Sequence, residues 1–334
     1  MTEMTGGGTR PAGAVRELSY AEAAVLALQR EMEADARVVV LGEDVGRGGI
    51  FGQYKGLQQH FGTDRVIDTP ISEAAIMGAG VGMALAGLRP VVEMRVVDFA
   101  LCGMDELVNQ AAKNRFMFGG QGRVPIVARM PGGIWDASAA QHSQSLEAWF
   151  AHLPGVVVVC PSTPQDNHGL MRAALRCGDP VVYIEHKTLW GVRGPVDETL
   201  DIPLGKAARV RRGSALTMVS WSRQLHACMA ACDALATEGI EVDLIDLRTL
   251  WPWDREAVLE SCARTGRLLV AHEAVQAAGF GAEIAATAAE ATGCRVARLG
   301  APRIPVGYAP VLEAQSRVSA ERIADTARAL LRRG

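Results

Sequence analysis

Residues 19–41, SYAEAAVLALQREMEADARVVVL, decide the predicted fold. Ser19 followed by Glu22 fits a capping box, and the Ala- and Leu-rich run to about Asp35 favours a helix. Val38 to Leu41 is then a short, continuously apolar segment. Segments of this kind are typical of strands buried on both faces, as in parallel sheets. A capped helix followed by a buried strand predicts an α/β protein.

The same alternation recurs along the first half of the chain. Further strands are predicted at 91–97, 124–128, 156–160 and 181–185, with helices at 73–87, 103–117, 144–152 and 165–176. Strands that alternate with helices indicate βαβ units, and therefore a doubly wound parallel sheet.

A segment rich in Gly and Pro, 186–213, separates this unit from a second α/β unit. The second unit has predicted strands at 215–220, 241–246, 268–271 and 295–299, and predicted helices at 223–238, 254–264, 281–291 and 319–332. The predicted domains are therefore 17–190 and 214–334, joined by a connection at 191–213. Residues 1–16 are Gly-, Thr- and Pro-rich without an apolar stretch, which predicts a disordered leader rather than a signal peptide.

The composition excludes several classes of partner. The 334 residues carry a net charge of -3 with both signs interspersed, which argues against nucleic acid, and no apolar run is long enough to span a bilayer. The seven cysteines form no CxxC pair, so we expect reduced, mostly buried thiols in a cytoplasmic protein. Cys228, Cys232 and His226 lie close in sequence, but a zinc site would need more ligands.

A glycine cluster, 78–82, resembles part of a dinucleotide-binding fingerprint. That fingerprint follows a strand directly and opens a helix. Here the glycines lie inside the predicted helix 73–87, where small residues allow close helix packing. The pattern therefore argues against a nicotinamide-dependent dehydrogenase.

Two residues are candidates for acid–base chemistry. Glu73 stands at the start of an apolar helix, where it either complements the helix dipole or shares a proton with a ligand nitrogen; position alone favours the dipole. His142 follows a glycine-bearing polar stretch after a strand, and is either an acid–base group or a surface histidine. Ser143 beside it lacks a GxSxG context, so a hydrolase is not indicated.

Seven segments stand in an order that resembles one family. They are LGEDV at 41–45, DTPISE at 68–73, GLRPV at 87–91, AAQHSQS at 139–145, IDLRTL at 245–250, HEA at 272–274 and GFGAE at 279–283. From about residue 17 to the C-terminus the chain resembles the E1 β subunits of pyruvate, branched-chain 2-oxo acid and acetoin dehydrogenases. The resemblance implies a transketolase-like pyrimidine-binding domain followed by a transketolase C-terminal domain.

The resemblance also implies roles for individual residues. Glu73 matches the glutamate that holds N1′ of the aminopyrimidine of thiamine diphosphate. His142 matches a histidine that helps transfer the acyl group to lipoamide. Phe99 matches an aromatic residue that packs on the pyrimidine, although it also fits ordinary core at a strand end. The implied reaction is the oxidative decarboxylation of a 2-oxo acid.

Two positions depart from the family pattern. The resemblance implies a potassium ion bound through backbone oxygens matching Ile126, Ala174, Leu175 and Cys177, together with Asp179. Cys177 stands where some relatives have Asp. Arg95, near the implied cofactor, replaces an uncharged Gln or Met, and could pair with a substrate carboxylate or with Asp98.

The sequence has no Gly-Asp-Gly motif for Mg²⁺ and diphosphate. A diphosphate needs a cation and backbone donors, so these are expected from another chain. The resemblance implies an E1 α partner in an α₂β₂ heterotetramer and a lipoyl-bearing E2 acyltransferase. The alternatives are an acetoin dehydrogenase β subunit, which segments 117–120 and 185–187 favour, and a non-catalytic scaffold for an α subunit.

Overall fold

The computed structural model describes residues 15–332, which form two α/β units. The elements in chain order are β1 (Arg16–Ser19), α1 (Tyr20–Ala34), β2 (Val38–Gly42), α2 (Leu57–Phe61), β3 (Val66–Asp68), α3 (Glu73–Leu85), β4 (Arg89–Glu93), α4 (Ala112–Met117), β5 (Val127–Arg129), α5 (Glu147–Ala151), β6 (Val157–Val159), α6 (Pro164–Arg176), β7 (Val181–Tyr183), β8 (Arg193–Val196), β9 (Ala208–Arg211), β10 (Leu216–Ser220), α7 (Ser222–Ala236), β11 (Val242–Asp246), β12 (Thr249–Trp251), α8 (Arg255–Thr265), β13 (Arg267–Val275), α9 (Gly281–Thr292), β14 (Arg295–Ala301), α10 (Pro310–Ser316) and α11 (Ala320–Arg332).

The opening helix and strand form as their sequence predicts. The Ser19 side chain accepts a hydrogen bond from the Glu22 backbone N–H, and the Glu22 carboxylate accepts one from the Ser19 N–H. This reciprocal pair satisfies two N–H groups that the first turn of a helix leaves free. All five residues of β2 are buried, which confirms a strand covered on both faces.

The first sheet has the strand order β12-β6-β7-β5-β4-β2-β3. Its six strands from the first half of the chain are parallel, which confirms the predicted βαβ pattern. Only β12 is antiparallel, and it comes from the second half of the chain to pair with β6. The second unit therefore completes the edge of the first sheet.

The second sheet has the order β14-β13-β10-β11-β9, parallel except for the edge strand β9. The predicted connection, 191–213, contains β8, which pairs with β1, as well as β9. Of the predicted leader, 1–14 lie outside the described residues, and Arg16 begins β1. Among the described residues no helix is both long and apolar enough to cross a bilayer.

One hydrophobic core runs through both units. Leu146 and Phe150 from the first unit share a buried cluster with Trp221, Leu250 and Phe280 from the second. Since burial of apolar surface is the main stabilising force in folding, this continuous core fixes the two units against each other. The seven cysteines are all free, and five of them are buried, which agrees with the predicted burial of most thiols.

Two predicted elements end differently from their sequence pattern. The strand expected at 91–97 stops at Glu93, because Arg95 adopts φ +56° and turns the chain. The helix expected at 103–117 is divided into a 3₁₀ turn at Phe99–Gly103, a π-helical turn at Glu106–Ala111 and the short α4. The first of these breaks places Phe99 in a turn rather than in the sheet.

The glycine cluster 78–82 serves packing, as predicted. A Cβ on Gly80 would lie 2.5 Å from Val92 Cγ2 and 3.0 Å from Ile126 Cδ1, both in the sheet beneath α3. Gly82, one half-turn further, has no atom within 4 Å of such a Cβ. Gly80 therefore allows α3 to approach the sheet closely, whereas the packing of α3 does not require a glycine at position 82.

We expect Gly80→Ala to lower the free energy of unfolding by about 1–3 kcal/mol, since the added methyl group overpacks the interface between α3 and the sheet. Gly82→Ala is the matched control and should be neutral or slightly stabilising, because alanine favours helices. Urea unfolding of both variants measures this. Equal effects of the two substitutions would contradict the packing role of Gly80.

Candidate active site

The predicted site residues follow the carboxyl ends of neighbouring parallel strands. Glu73 opens α3 after β3, Arg95 and Phe99 follow β4, and His142 lies in the loop after β5. Glu43, which was not predicted as a site residue, follows β2. In open α/β sheets, ligands bind at this edge. The topology therefore brings residues from four separate segments to one end of the first sheet.

Glu73 is the first residue of α3 and is half-buried. Within residues 15–332 its carboxylate makes no hydrogen bond or ion pair. The turn at Phe99–Gly103 packs against the start of α3, and a Cβ on Gly103 would lie 3.1 Å from the Glu73 carbonyl oxygen. The fold thus holds the start of α3 against the turn that begins at Phe99 and leaves the Glu73 carboxylate available to a ligand.

Phe99 and His142 lie together. Their ring centroids are 5.2 Å apart, and the rings are nearly perpendicular at 81°. Phe99 is half-buried, so it is not ordinary core, and His142 is exposed. An aromatic ring and an imidazole therefore meet at the carboxyl end of the first sheet, the same end at which Glu73 opens α3.

Arg95 has a different partner from either one proposed from sequence. Its Nη1 lies 2.7 Å from Glu43 Oε1 and 2.7 Å from Asp44 Oδ2. The suggested pairing with Asp98 is wrong, since Asp98 Oδ1 accepts hydrogen bonds from Gln144 instead. The positive φ of Arg95 explains the difference, because it turns the side chain toward the end of β2 rather than along its own segment.

The oxygens proposed for potassium all have partners within the chain. Ile126 O accepts from the Val181 N–H, Ala174 O from the Cys177 N–H, and Asp179 pairs with Arg115. The remaining two belong to Leu175 and Cys177, and both accept from the Arg89 guanidinium, at 2.9 and 3.1 Å. The positive charge beside the Leu175 and Cys177 oxygens is therefore the Arg89 guanidinium. Potassium binding stays a prediction, and these contacts do not support it. Among the described residues, no cluster of His, Cys, Asp and Glu could hold a metal ion.

A buried ionic network beneath the site was not predicted. Arg129 and Glu185 are fully buried, and the guanidinium Nε and Nη2 donate to the two Glu185 oxygens at 2.6 and 2.9 Å. Close by, the Tyr54 hydroxyl donates to Glu93 at 2.6 Å. Burial raises the pKa of Glu93 to about 7, although the charge of Arg129 opposes this.

A signal for this network was present in the sequence. Glu93, Arg129 and Glu185 each follow an apolar strand segment, where a charged residue must find a partner in order to be buried. Because neighbouring parallel strands end at the same edge, residues of opposite charge at these ends should meet.

Beside the loop that carries His142, residues 130–146, lies an open cleft of about 540 Å³. Ala140 and Gln144 of the loop line one side, and Val275, Arg303 and Ile304 of the second unit line the other. The loop therefore lies between the two units, and its position depends on both.

Comparisons with known proteins agree with this fold. Residues 16–192 match the family described as Transketolase, pyrimidine binding domain, and residues 205–323 match Transketolase, C-terminal domain. A split-gene transketolase, described as an inactive β4 tetramer, superposes with a TM-score of 0.78 at 19% identity and covers 94% of this chain and 98% of that chain. This structural likeness shows the fold alone.

Curated relatives are similar over nearly the whole chain. The acetoin:2,6-dichlorophenolindophenol oxidoreductase subunit beta of Cupriavidus necator is 41% identical and covers 96% of this chain and 99% of its own. The 2-oxoisovalerate dehydrogenase subunit beta of Bacillus subtilis is 40% identical, covering 92% and 96%. The pyruvate dehydrogenase E1 component subunit beta-1 of Oryza sativa is 39% identical, covering 96% and 87%.

Substitution of Glu185 by Gln should destabilise the chain by about 3–5 kcal/mol, because it leaves the buried Arg129 charge without its counter-ion. Chemical denaturation of the purified variant gives the free energy of unfolding. Glu238→Gln, which breaks the exposed pair with Arg328, is the matched control and should change little. A Glu185→Gln variant as stable as the control would show that the buried pair does not stabilise the fold.

The raised pKa of Glu93 predicts a pH-dependent contribution to stability. Its folded-state pKa of about 7 exceeds the ordinary value of 4.5, so the folded state holds this proton more tightly than the unfolded state does. The stabilisation is complete below pH 4.5 and is lost as the pH rises through 7. Glu93→Gln should therefore gain stability relative to the native chain between these pH values. A difference in unfolding free energy between the two proteins that stays constant across this pH range would contradict the raised pKa of Glu93.

Proposed function

Because this chain belongs to the family of 2-oxo acid dehydrogenase E1 β subunits, we propose that it acts in oxidative decarboxylation of a 2-oxo acid as one half of an active site. The observation that carries the proposal is the half-buried carboxylate of Glu73, which has no hydrogen bond or ion pair among residues 15–332 and opens the helix against which the Phe99–Gly103 turn packs.

The cofactor that the family suggests is thiamine diphosphate, and the chain's residues fit the ring end of that molecule. Thiamine diphosphate, when bound, would supply the carbon nucleophile and the electron sink for decarboxylation. Glu73 would hold a proton at the N1′ nitrogen of the pyrimidine, as an acid–base group within reach of its ligand does. Phe99 would pack on the pyrimidine and exclude water from it.

His142 is proposed to act at the border of the site. Its ring is exposed while its neighbour Phe99 is half-buried, so it lies between the ligand-binding interior and the solvent. An imidazole in that place can donate or accept a proton at neutral pH. We assign it to the transfer of the acyl group to a lipoyl group carried by an E2 acyltransferase.

The diphosphate end is proposed to lie on an α subunit. The sequence has no Gly-Asp-Gly motif, and a diphosphate with Mg²⁺ needs carboxylate or carbonyl ligands and backbone donors. The relatives are named as β subunits, which supports an α partner, and we propose an α₂β₂ heterotetramer. The free cysteines are typical of a reducing compartment, which supports a cytoplasmic location.

We propose that Arg95 borders the cofactor site and that its positive charge is already paired within the chain. Glu43 and Asp44 already flank its guanidinium, so a substrate carboxylate would have to displace one of them. Arg95 is thus better suited to fixing the end of β2 than to selecting an acidic substrate.

The second candidate function is that of an acetoin dehydrogenase β subunit. The acetoin, 2-oxoisovalerate and pyruvate relatives are similar to this chain to nearly the same degree, so similarity does not separate these substrates. A non-catalytic scaffold is less well supported, because such a protein would not need to keep Glu73, Phe99 and His142 together.

The test is 2-oxo-acid-dependent reduction of an artificial electron acceptor by this chain co-expressed with an α subunit, with thiamine diphosphate and Mg²⁺ present. Glu73→Gln should lower the rate by about 100-fold or more with the heterotetramer intact, since it removes a proton-transfer group. Glu321→Gln, at the first turn of α11, is the matched control and should keep full activity.

The substrate that gives the highest rate names the enzyme, and acetoin is included among the substrates for that reason. If native and Glu73→Gln complexes were equally inactive on pyruvate, branched-chain 2-oxo acids and acetoin, the catalytic proposal would be rejected in favour of the scaffold. Full activity of Glu73→Gln would reject the proton-transfer role alone.

A further inference from the structure

The loop that carries His142 has only a few internal backbone hydrogen bonds, among them one from the Gly133 N–H to the Gln144 carbonyl oxygen at 2.9 Å. This His142 loop, residues 130–146, connects β5 to α5 and has no regular secondary structure of its own. Asp136, Ala137 and Ala139 have φ values of 39°, 58° and 59°, a region that residues with a Cβ seldom adopt. Such conformations persist only where surrounding contacts fix them.

The second unit supplies the contacts that fix it. Glu273, on β13, accepts hydrogen bonds through Oε1 from the Ile134 backbone N–H at 2.8 Å and from the Ser145 hydroxyl at 3.1 Å. These two donors lie on either side of His142 in the loop. A single carboxylate oxygen from the second sheet therefore ties together the two arms of the His142 loop.

The same oxygen also contacts the end of β7. His186 Nε2 lies 2.9 Å from Glu273 Oε1, while the Thr188 backbone N–H donates to Nδ1, so Nε2 is the donor to Glu273. Burial alone would raise the pKa of Glu273, but His186 and the hydrogen bonds from Ile134 and Ser145 lower it to about 2. Glu273 is thus ionised at neutral pH, and charged acceptors form the stronger hydrogen bonds.

Gly133 makes this approach possible. A Cβ on Gly133 would lie 2.1 Å from His186 Nε2 and 2.8 Å from Glu273 Oε1, and its φ is +87°. Only glycine fits between the loop backbone, the imidazole and the carboxylate, so the loop is built to pass against this pair.

Two further contacts act near His142. Glu313, on α10 of the second unit, accepts from the Ala137 backbone N–H at 2.7 Å. Lys187, only 3% exposed, donates to the His142 carbonyl oxygen. Since Lys187 directly follows His186, the partner of Glu273, the segment after β7 and the second unit hold the same loop from two sides.

We propose that Glu273 is a positioning residue for His142, which fixes the His142 loop from the second domain and so governs acyl transfer rather than decarboxylation. The inference rests on the proposed function in that it takes His142 to act in acyl transfer. Glu273 lies at the loop's two ends and not beside Glu73, so its loss should displace His142 while leaving the Glu73 carboxylate in place.

The test compares two activities of the reconstituted α and β complex. The first is 2-oxo-acid-dependent reduction of an artificial electron acceptor, and the second is acylation of a purified lipoyl domain. Glu273→Ala should reduce acylation by about 100-fold, the loss expected for a misplaced catalytic group, with a far smaller effect on acceptor reduction. Glu273→Gln, whose amide oxygen still accepts hydrogen bonds, should restore part of the acylation rate.

Two other variants control the comparison. Glu283→Ala removes an exposed carboxylate of the same domain that has no contact with the loop, and should leave both rates unchanged. Ser145→Ala removes one donor from the loop side without altering the second domain. It should lower the acylation rate by roughly threefold to tenfold, which corresponds to the net free energy of one hydrogen bond. This variant keeps the proposal testable if Glu273→Ala does not fold.

Equal loss of both activities in Glu273→Ala, or no loss of either, would overturn the positioning role, as would full acylation by Ser145→Ala. Glu273→Gln as inactive in acylation as Glu273→Ala would also overturn it, because the hydrogen-bond acceptor would then not matter. A native complex inactive in both assays would instead reject the proposed function, so the two failures are distinguishable.

Discussion

The buried ion pair between Arg129 and Glu185 is the constraint on which the site depends. Neither side chain is exposed, so both charges pay a desolvation cost that only paired, hydrogen-bonded contacts offset. Arg129 ends β5 and Glu185 follows β7, and the two strands are neighbours in the sheet. The His142 loop begins directly after Arg129, and His186 directly after Glu185. Fixing this pair therefore fixes the starting points of both segments that shape the site.

Around this pair, several charges of the site are paired within the chain, whereas the Glu73 carboxylate has no partner among the described residues. Arg95 is flanked by Glu43 and Asp44, and Glu273 by His186. A half-buried carboxylate without a partner costs free energy unless a ligand or solvent serves it. The free, half-buried carboxylate at the ligand-binding edge of the sheet is the physical reason for placing the ligand there.

The sequence predicted the elements whose signal is local and missed those whose partner is distant. The Ser19 capping box, the buried strand β2 and the packing role of Gly80 follow from residues a few positions apart. The strand β12 is three residues long and pairs with β6 across the two units. A strand this short has no hydrophobic periodicity from which that pairing could be predicted. Arg95 was expected to pair with a substrate carboxylate or with Asp98, but its positive φ turns the side chain toward Glu43 and Asp44. The pattern offered Glu73 as a candidate but favoured the dipole role for it, and the resemblance supplied its role and singled out Phe99.

Glu273 shows why the remaining contacts of the site could not be predicted from the sequence. At the loop it binds one backbone N–H and one hydroxyl, and Glu313 binds a backbone N–H alone. Backbone donors are present at almost every residue, so the identities of Ile134 and Ala137 carry no record of these contacts. The same feature has a structural advantage. Ala140 and Ser143 of the loop line the cleft, while the N–H groups of Ile134 and Ala137 are held from the second domain. The shape of the site and the position of the loop backbone are therefore set largely by different groups.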